Sequence, residues 1–204
     1  MENIQNYILT LSQTMGQLSQ ELIVEVINIL QRARMQGNQV FIMGNGGSAS
    51  TATHFVCDLA KNTRHEGLPH YRAIGLTDNM AVFSAYANDE GYENVFAKQL
   101  ANLIQPGDIV IGISASGNSQ NVINAIREAK RDTVTTIAFT GFDGGRLGPM
   151  VDINIHVKSD IIEHVEDVHL MLEHMMVKAI KDQPYWGTNY PQLVAERSAV
   201  ILDD

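Results

Sequence analysis

QVFIMGNGGSASTATHFVCDLAKN, residues 39–62, reads as an apolar strand, a glycine turn and a helix. The strand QVFIM carries no charge, as expected of a strand covered on both faces. Glycines allow positive φ and let backbone approach a ligand closely. The helix start that follows turns its N–H groups toward the same space and favours an anion there. Within the helix, His54 and Asp58 are four residues apart, so they share a face and can grip one ion.

The same unit recurs downstream. YRAIGL (71–76) is a strand, followed by helices at NMAVFSAYA (79–87) and NVFAKQLANLI (94–104). GDIVIGISASG (107–117) is a strand ending in a Ser/Gly loop, and SQNVINAIREAKR (119–131) is a helix. TVTTIAFTGFDGG (133–145) is a strand and turn, DINIHV (152–157) a last strand, and DIIEHVEDVHLMLEHMMVKAIK (160–181) a long helix. Apolar strands alternating with helices predict an α/β fold. Its parallel sheet is covered on both faces and connected by right-handed crossovers.

Upstream, Ile4, Ile8, Leu11, Met15, Leu18, Leu22, Ile23, Val26, Ile27 and Leu30 keep helical spacing, so 2–36 reads as a long amphipathic helix that Gly16 can interrupt. That helix has more apolar face than one strand–helix unit needs. It either caps the domain or packs on another subunit. No linker rich in Pro, Gly or Ser divides the chain, so residues 1–182 read as one domain. Residues 183–204, with two prolines and the only tryptophan, read as a C-terminal extension.

Composition narrows the function. The 204 residues are enough for a substantial core. A formal charge of −9 argues against nucleic acid as a partner, because phosphate binding needs Lys and Arg presented together. The single cysteine, Cys57, excludes an internal disulfide and suits a reducing cytoplasm. The N-terminus lacks the basic and apolar regions of a signal peptide, and no apolar run is long enough to span a bilayer.

Ligands of such sheets bind beyond the carboxyl ends of the strands. Two of those ends carry loops suited to anions, GNGGS (44–48) and SASGNS (114–119). Ser48, Ser114, Ser116 and Ser119 offer hydroxyls, and Gly46, Gly47 and Gly117 free the backbone. Neither loop matches GxGxxG, and the P-loop lysine is missing. A turn that merely needs glycine accounts for one such loop. Two of them, each after a buried strand, favour a phosphate cradle. No serine has a partner that marks it as a nucleophile.

GNGGS with HF at 54–55, AND at 87–89, SASGNS, FTGFDGG at 139–145 and ExxHxxxxH at 166–174 together resemble the sugar isomerase (SIS) domain. More narrowly, they resemble the phosphoheptose isomerase family, over nearly the whole chain up to about residue 182. The resemblance implies a three-layer αβα fold: a five-stranded, mainly parallel sheet flanked by helices, with a long N-terminal helix. It implies a cytoplasmic homotetramer that converts sedoheptulose 7-phosphate to D-glycero-D-manno-heptose 7-phosphate. Active sites would lie between subunits and hold Zn²⁺ or another divalent metal. A relative of the same fold binds a replication initiator instead, so a non-catalytic binding protein is the first competing reading. An isomerase or sensor for another phosphosugar is the second.

Matched position by position, Ser48, Ser114, Ser116 and Ser119 fall on the phosphate-binding serines, and Asn45 and Asp89 on positions that contact the sugar. His54 matches a metal-binding histidine, and His174 the catalytic histidine, also a ligand. Four positions depart from the pattern: Asp58 replaces the Glu base, Glu166 a Gln ligand, Ala115 a Thr and Asn62 an Arg. His54, Asp58, Glu166 and His174 make a shell of two imidazoles and two carboxylates, with Glu166 also beside the substrate.

Glu166 and His174 are eight residues apart, roughly 12 Å along a helix axis. One ion hardly reaches both unless their side chains stretch toward each other or they come from different chains, and the spacing supports a site at a subunit interface. The expected chemistry is an aldose–ketose proton shuttle, with Asp58 as base and His174 as acid. Glu163 matches another acidic position near the sugar. His164 and His169 carry little weight as site residues. His65, His70 and His156 read as surface or loop histidines, and Cys57 as a packing residue.

Overall fold

The computed structural model describes residues 2–130 and 133–184. Five strands form one sheet: β1 (Gln39–Met43), β2 (Arg72–Gly75), β3 (Ile109–Ser114), β4 (Thr135–Thr140) and β5 (Ile153–His156). Their order is β2-β1-β3-β4-β5, and every pairing is parallel.

Side chains alternate across the sheet with the two-residue period of a strand. Val40 and Ile42 of β1, Ile109, Ile111 and Ile113 of β3, and Ile137 and Phe139 of β4 enter one core. Phe41, Met43, Val110 and Ala138 enter the other. The first core is closed by α2 (Gln20–Gln36), α3 (Gly47–Cys57) and α7 (Ile162–Asp182). The second is closed by α4 (Met80–Glu90), α5 (Val95–Leu103) and α6 (Gln120–Ala129). This is the expected three-layer α/β architecture.

The expected long N-terminal helix is two helices. α1 spans Glu2–Met15, and α2 starts afresh at Gln20. The break falls at Gly16 and is fixed by Ser19, whose Oγ accepts the Leu22 N–H at 3.2 Å as the α2 N-cap. α2 ends at Gly37, whose φ of 77° is the left-handed conformation of a helix terminator. α1 docks on α7 through Tyr7, which donates to Asp167 at 2.6 Å and meets the His164 ring edge-on. That hydrogen bond and the adjacent carboxylate push the Tyr7 hydroxyl up to about 12. Of the expected C-terminal extension, 185–204 lie outside the described residues. The Pro184 carbonyl accepts from Gln31 on α2 at 2.9 Å.

The strand order places a switch point between β1 and β3. From β1 the chain crosses to β2 on one side, and from β3 to β4 on the other. The loops leaving these two neighbouring strands therefore open a crevice at their carboxyl ends, the standard ligand position of an open parallel sheet. Those loops are GNGGS and SASGNS.

Candidate active site

At the crevice the two loops are tied together. Asn45 and Asn121, on the first turn of α6, exchange two side-chain hydrogen bonds of 2.8 Å, and the Tyr92 hydroxyl donates to Asn45 Oδ1 at 2.8 Å. These residues and Ser119 line a cleft of about 360 Å³. Gly46 has φ 54° and ψ −121°, a conformation open to glycine, and Gly47 begins α3. Ser48 is buried in the first turn of α3. Ser114 is buried at the end of β3, and its Oγ donates to Ser119 Oγ at 3.1 Å. Ser116 Oγ accepts the Asn118 N–H. The 141–147 turn closes over this loop so tightly that a Cβ at Gly117 would lie 2.1 Å from the Gly144 carbonyl oxygen.

Asp89 stands apart at the exposed end of α4 and accepts from Asn88 at 2.7 Å. Glu166 lies at the mouth of the first turn. A Cβ at Gly47 would be 2.5 Å from its Oε1, so the carboxylate rests on the α3 N-terminus, where the helix dipole favours negative charge.

The second half of the site lies further along α3. Ser48 and His54 are six residues apart, about 9 Å along the axis. At Asp58 the α-helix changes to a π turn, Asp58–Asn62, a local widening frequent at functional sites. Asp58 is buried. Its Oδ1 accepts from Asn62 at 2.6 Å, and its Oδ2 is 3.8 Å from His54 Nε2. The chain after the turn is held by the buried Arg34, which donates to the Thr63 carbonyl at 3.1 Å and stacks over Tyr71.

α7 packs across α3 and delivers two side chains to this point. His174 Nε2 is 3.4 Å from His54 Nε2, with the rings near perpendicular. Glu173 Oε1 is 3.1 Å from His174 Nε2 and 3.8 Å from His54 Nε2. One ligand atom from each of His54, Asp58, Glu173 and His174 lies within 4.8 Å of all the others. Burial, with Asp58 as a neighbouring negative charge, pushes the Glu173 carboxyl up to about 8.

The structure thus brings His54, Asp58 and His174 of one chain together. Glu166, expected among them, rests on the glycine turn at Gly47, and Glu173 occupies the cluster. Sequence reasoning passed over Glu173 because it adjoins His174. The available signal was its place on the stripe Val165, His169, Glu173, Val177, a four-residue repeat that is buried throughout. Tyr92 and Asn121, which set Asn45, were also passed over.

Three secondary readings are settled. Cys57 is exposed, not a packing residue. His169 is buried beside Phe139, and burial pushes its imidazole down to about 4, which keeps it neutral. His65 and His70 are exposed, whereas His156 ends β5 with Nε2 3.0 Å from the Phe142 carbonyl.

A family model described as the SIS domain matches residues 4–141. A probable phosphoheptose isomerase of Thermoplasma acidophilum is 41% identical over 166 residues, covering 81% of this chain and 91% of that one. Among solved structures, a phosphoheptose isomerase from Francisella tularensis superposes with a TM-score of 0.82 at 30% identity, covering 89% of this chain and 97% of the other. The phosphoheptose isomerase from Neisseria gonorrhoeae gives 0.80 at 30% identity, covering 89% and 98%. With the order of its motifs, its strand order and these likenesses in agreement, the chain belongs to the phosphoheptose isomerase family of SIS-domain proteins.

Proposed function

We propose that the protein is a phosphosugar isomerase that converts sedoheptulose 7-phosphate to D-glycero-D-manno-heptose 7-phosphate. The observation that carries this reading is the pairing, on one helix, of an anion cradle at the N-terminus with a His/carboxylate cluster about 9 Å further on. Phosphate and reacting carbons of one sugar need such a separation. Phosphoheptose isomerase is also what the similar proteins are called.

In this reading the phosphate sits between the first turn of α3 and the 114–119 loop. Ser48, Ser114, Ser116 and Ser119 hydrogen-bond its oxygens, and the backbone at Gly46 and Gly47 lies close to it. Asn45 and Asp89 orient the hydroxyls. The Asp58 carboxylate takes the proton from the carbon beside the carbonyl, giving an enediol. His174 is the acid that returns a proton to the adjacent carbon. Asn62 holds Asp58 Oδ1, so the other oxygen is the one presented.

The donor set fits a divalent metal. Glu173 is buried with neither oxygen hydrogen-bonded, and two imidazoles and a second carboxylate face it. His54, Asp58 and His174 would hold Zn²⁺, which supplies polarisation of the carbonyl and hydroxyl oxygens when bound. The protein works as a homotetramer in the cytoplasm. Ile4, Ile8 and Leu9 leave an exposed apolar face on α1 that supports assembly, and a single cysteine fits a reducing compartment. Among the described residues no helix is long and apolar enough to cross a membrane.

The test is turnover of sedoheptulose 7-phosphate by Zn²⁺-loaded protein, followed by NMR in D₂O. Aldose should accumulate with deuterium incorporated, and Asp58→Asn should stop it. No turnover by folded, loaded protein refutes the assignment.

A further inference from the structure

We propose that Glu173 is the fourth ligand of the metal site, so that His54, Asp58, Glu173 and His174 of a single chain hold the ion and Glu166 belongs to the phosphate turn. This rests on the metal-dependent reading given above.

The first argument is a buried carboxyl group that receives no hydrogen bond. Glu173 has 0% of its surface exposed, and neither oxygen receives a hydrogen bond. A carboxylate in that position is retained only where something compensates it. Asp58, of the same sign, is the charge that acts on it, and His174 Nε2 and His54 Nε2 stand 3.1 and 3.8 Å from its Oε1. An apolar residue would serve the core better, since the flanking positions Leu172 and Met176 are packed into it. A divalent cation answers both carboxylates at once. With two neutral imidazoles, their two negative charges balance its two positive ones.

The second argument is shape. Ligands about 2.0–2.1 Å from a tetrahedral zinc stand about 3.4 Å from one another. His54 and His174 nitrogens are 3.4 Å apart, and Glu173 Oε1 stands 3.1 and 3.8 Å from them. Asp58 Oδ2 is 3.8 Å from His54 Nε2. Four of the six donor pairs thus already stand near the edge length of such a tetrahedron, and all six lie within 4.8 Å. Glu166 is about two turns away along α7, with its carboxylate on Gly47.

The experiment measures Zn²⁺ affinity of the full-length protein by competition with a chromogenic chelator, with no sugar present. Wild type should bind one ion per chain. Loss of a group that merely supports a ligand weakens metal binding about 10–100-fold, so Glu173→Gln should weaken it by at least about 100-fold. Glu166→Gln should leave it unchanged. Melting of the metal-free proteins guards against misfolding. Glu173→Gln and Glu173→Met should melt no lower than wild type, yet lose the rise in Tm that Zn²⁺ gives it. Wild-type affinity in both Glu173 variants overturns the proposal. So does a loss that follows Glu166 instead, or a wild type that binds no Zn²⁺. Since no sugar is present, a protein that binds Zn²⁺ as described but fails to turn over the heptose refutes the isomerase assignment alone.

Discussion

At its N-terminal end α3 contributes backbone: a glycine turn, the first free N–H groups of the helix, and Ser48, faced by a second loop of the same kind. At its C-terminal end it contributes side chains, His54 and Asp58, which are complete only when α7 lays Glu173 and His174 against them. The first half is set by local chain geometry and by the strand order that makes β1 and β3 neighbours. The second is set by helix packing between segments more than a hundred residues apart. Apart from Glu166, whose carboxylate rests on the first turn, the first half is built of neutral groups of the kind that can take an anion. The second gathers titratable groups of the kind that can hold a cation. Substitutions should therefore separate the two ends cleanly.

The largest effect is expected at the chemical end. Asp58→Asn or His174→Gln should lower kcat by about 10²–10⁴-fold, the usual contribution of a general base or acid. KM should move little, because the phosphate is held elsewhere. A large rise in KM with kcat preserved would mean that the two ends do not divide the work in this way.

Ser114→Ala attacks the other end. It removes one hydroxyl from the anion cradle and leaves Ser119 without its partner. Hydrogen bonds to charged groups contribute about 1.5–3 kcal/mol, so inorganic phosphate should inhibit about 10–100-fold more weakly, with KM rising in parallel. Zn²⁺ affinity should be unchanged. If Zn²⁺ is lost as well, the ends are coupled through α3.

The contrast also explains what the sequence discloses. The strands, the two anion loops and the face shared by His54 and Asp58 are local patterns, written in alternation, glycine placement and four-residue spacing. The break between α1 and α2 was marked by Gly16, but the capping role of Ser19 decides where α2 begins. Which acid of α7 joins His54 is a different matter. Glu166 and Glu173 are seven residues apart and point to nearly the same side of the helix. Only the height at which α7 crosses α3 assigns one to the phosphate turn and the other to the cluster. No periodicity carries that height.

A third test uses pH on metal-free protein. Burial holds His169 neutral, down from 6.5 to about 4, so the unfolded state binds more protons between those values and stability rises with pH there. Glu173 is raised from 4.5 to about 8, so the folded state binds more protons in that interval and stability falls as pH rises. The two slopes cancel between about 4.5 and 6.5. From there to pH 8 only Glu173 acts, at about 1.4 kcal/mol per pH unit, giving a loss of about 2 kcal/mol. Urea unfolding of wild type and Glu173→Gln should therefore diverge from about pH 4.5 upward: the variant gains stability to about pH 6.5 and is then flat, whereas wild type is flat and then falls. Parallel curves would show that Glu173 is relieved in some other way. The serine, glycine and asparagine of the cradle titrate nowhere in this range.

The smallest effect concerns Asn62, which stands in the π turn and donates to Asp58 Oδ1 at 2.6 Å. That bond leaves Oδ2 as the oxygen directed toward His54. In the family pattern this position is an arginine, whose long cationic side chain would reach past a neighbouring base. The shorter Asn62 instead stays on the carboxylate and fixes its rotation. Asn62→Ala should lower kcat about fivefold, equivalent to about 1 kcal/mol, the net contribution of an ordinary hydrogen bond. KM and phosphate inhibition should not change. Asn62→Asp separates orientation from occupancy, since it keeps the size and places a repelling oxygen on Asp58. It should fall further than alanine. If both variants keep wild-type kcat, the orientation of Asp58 is imposed by the cluster on α7. The C-terminal end of α3 would then depend on tertiary packing even for a pair of residues only four apart.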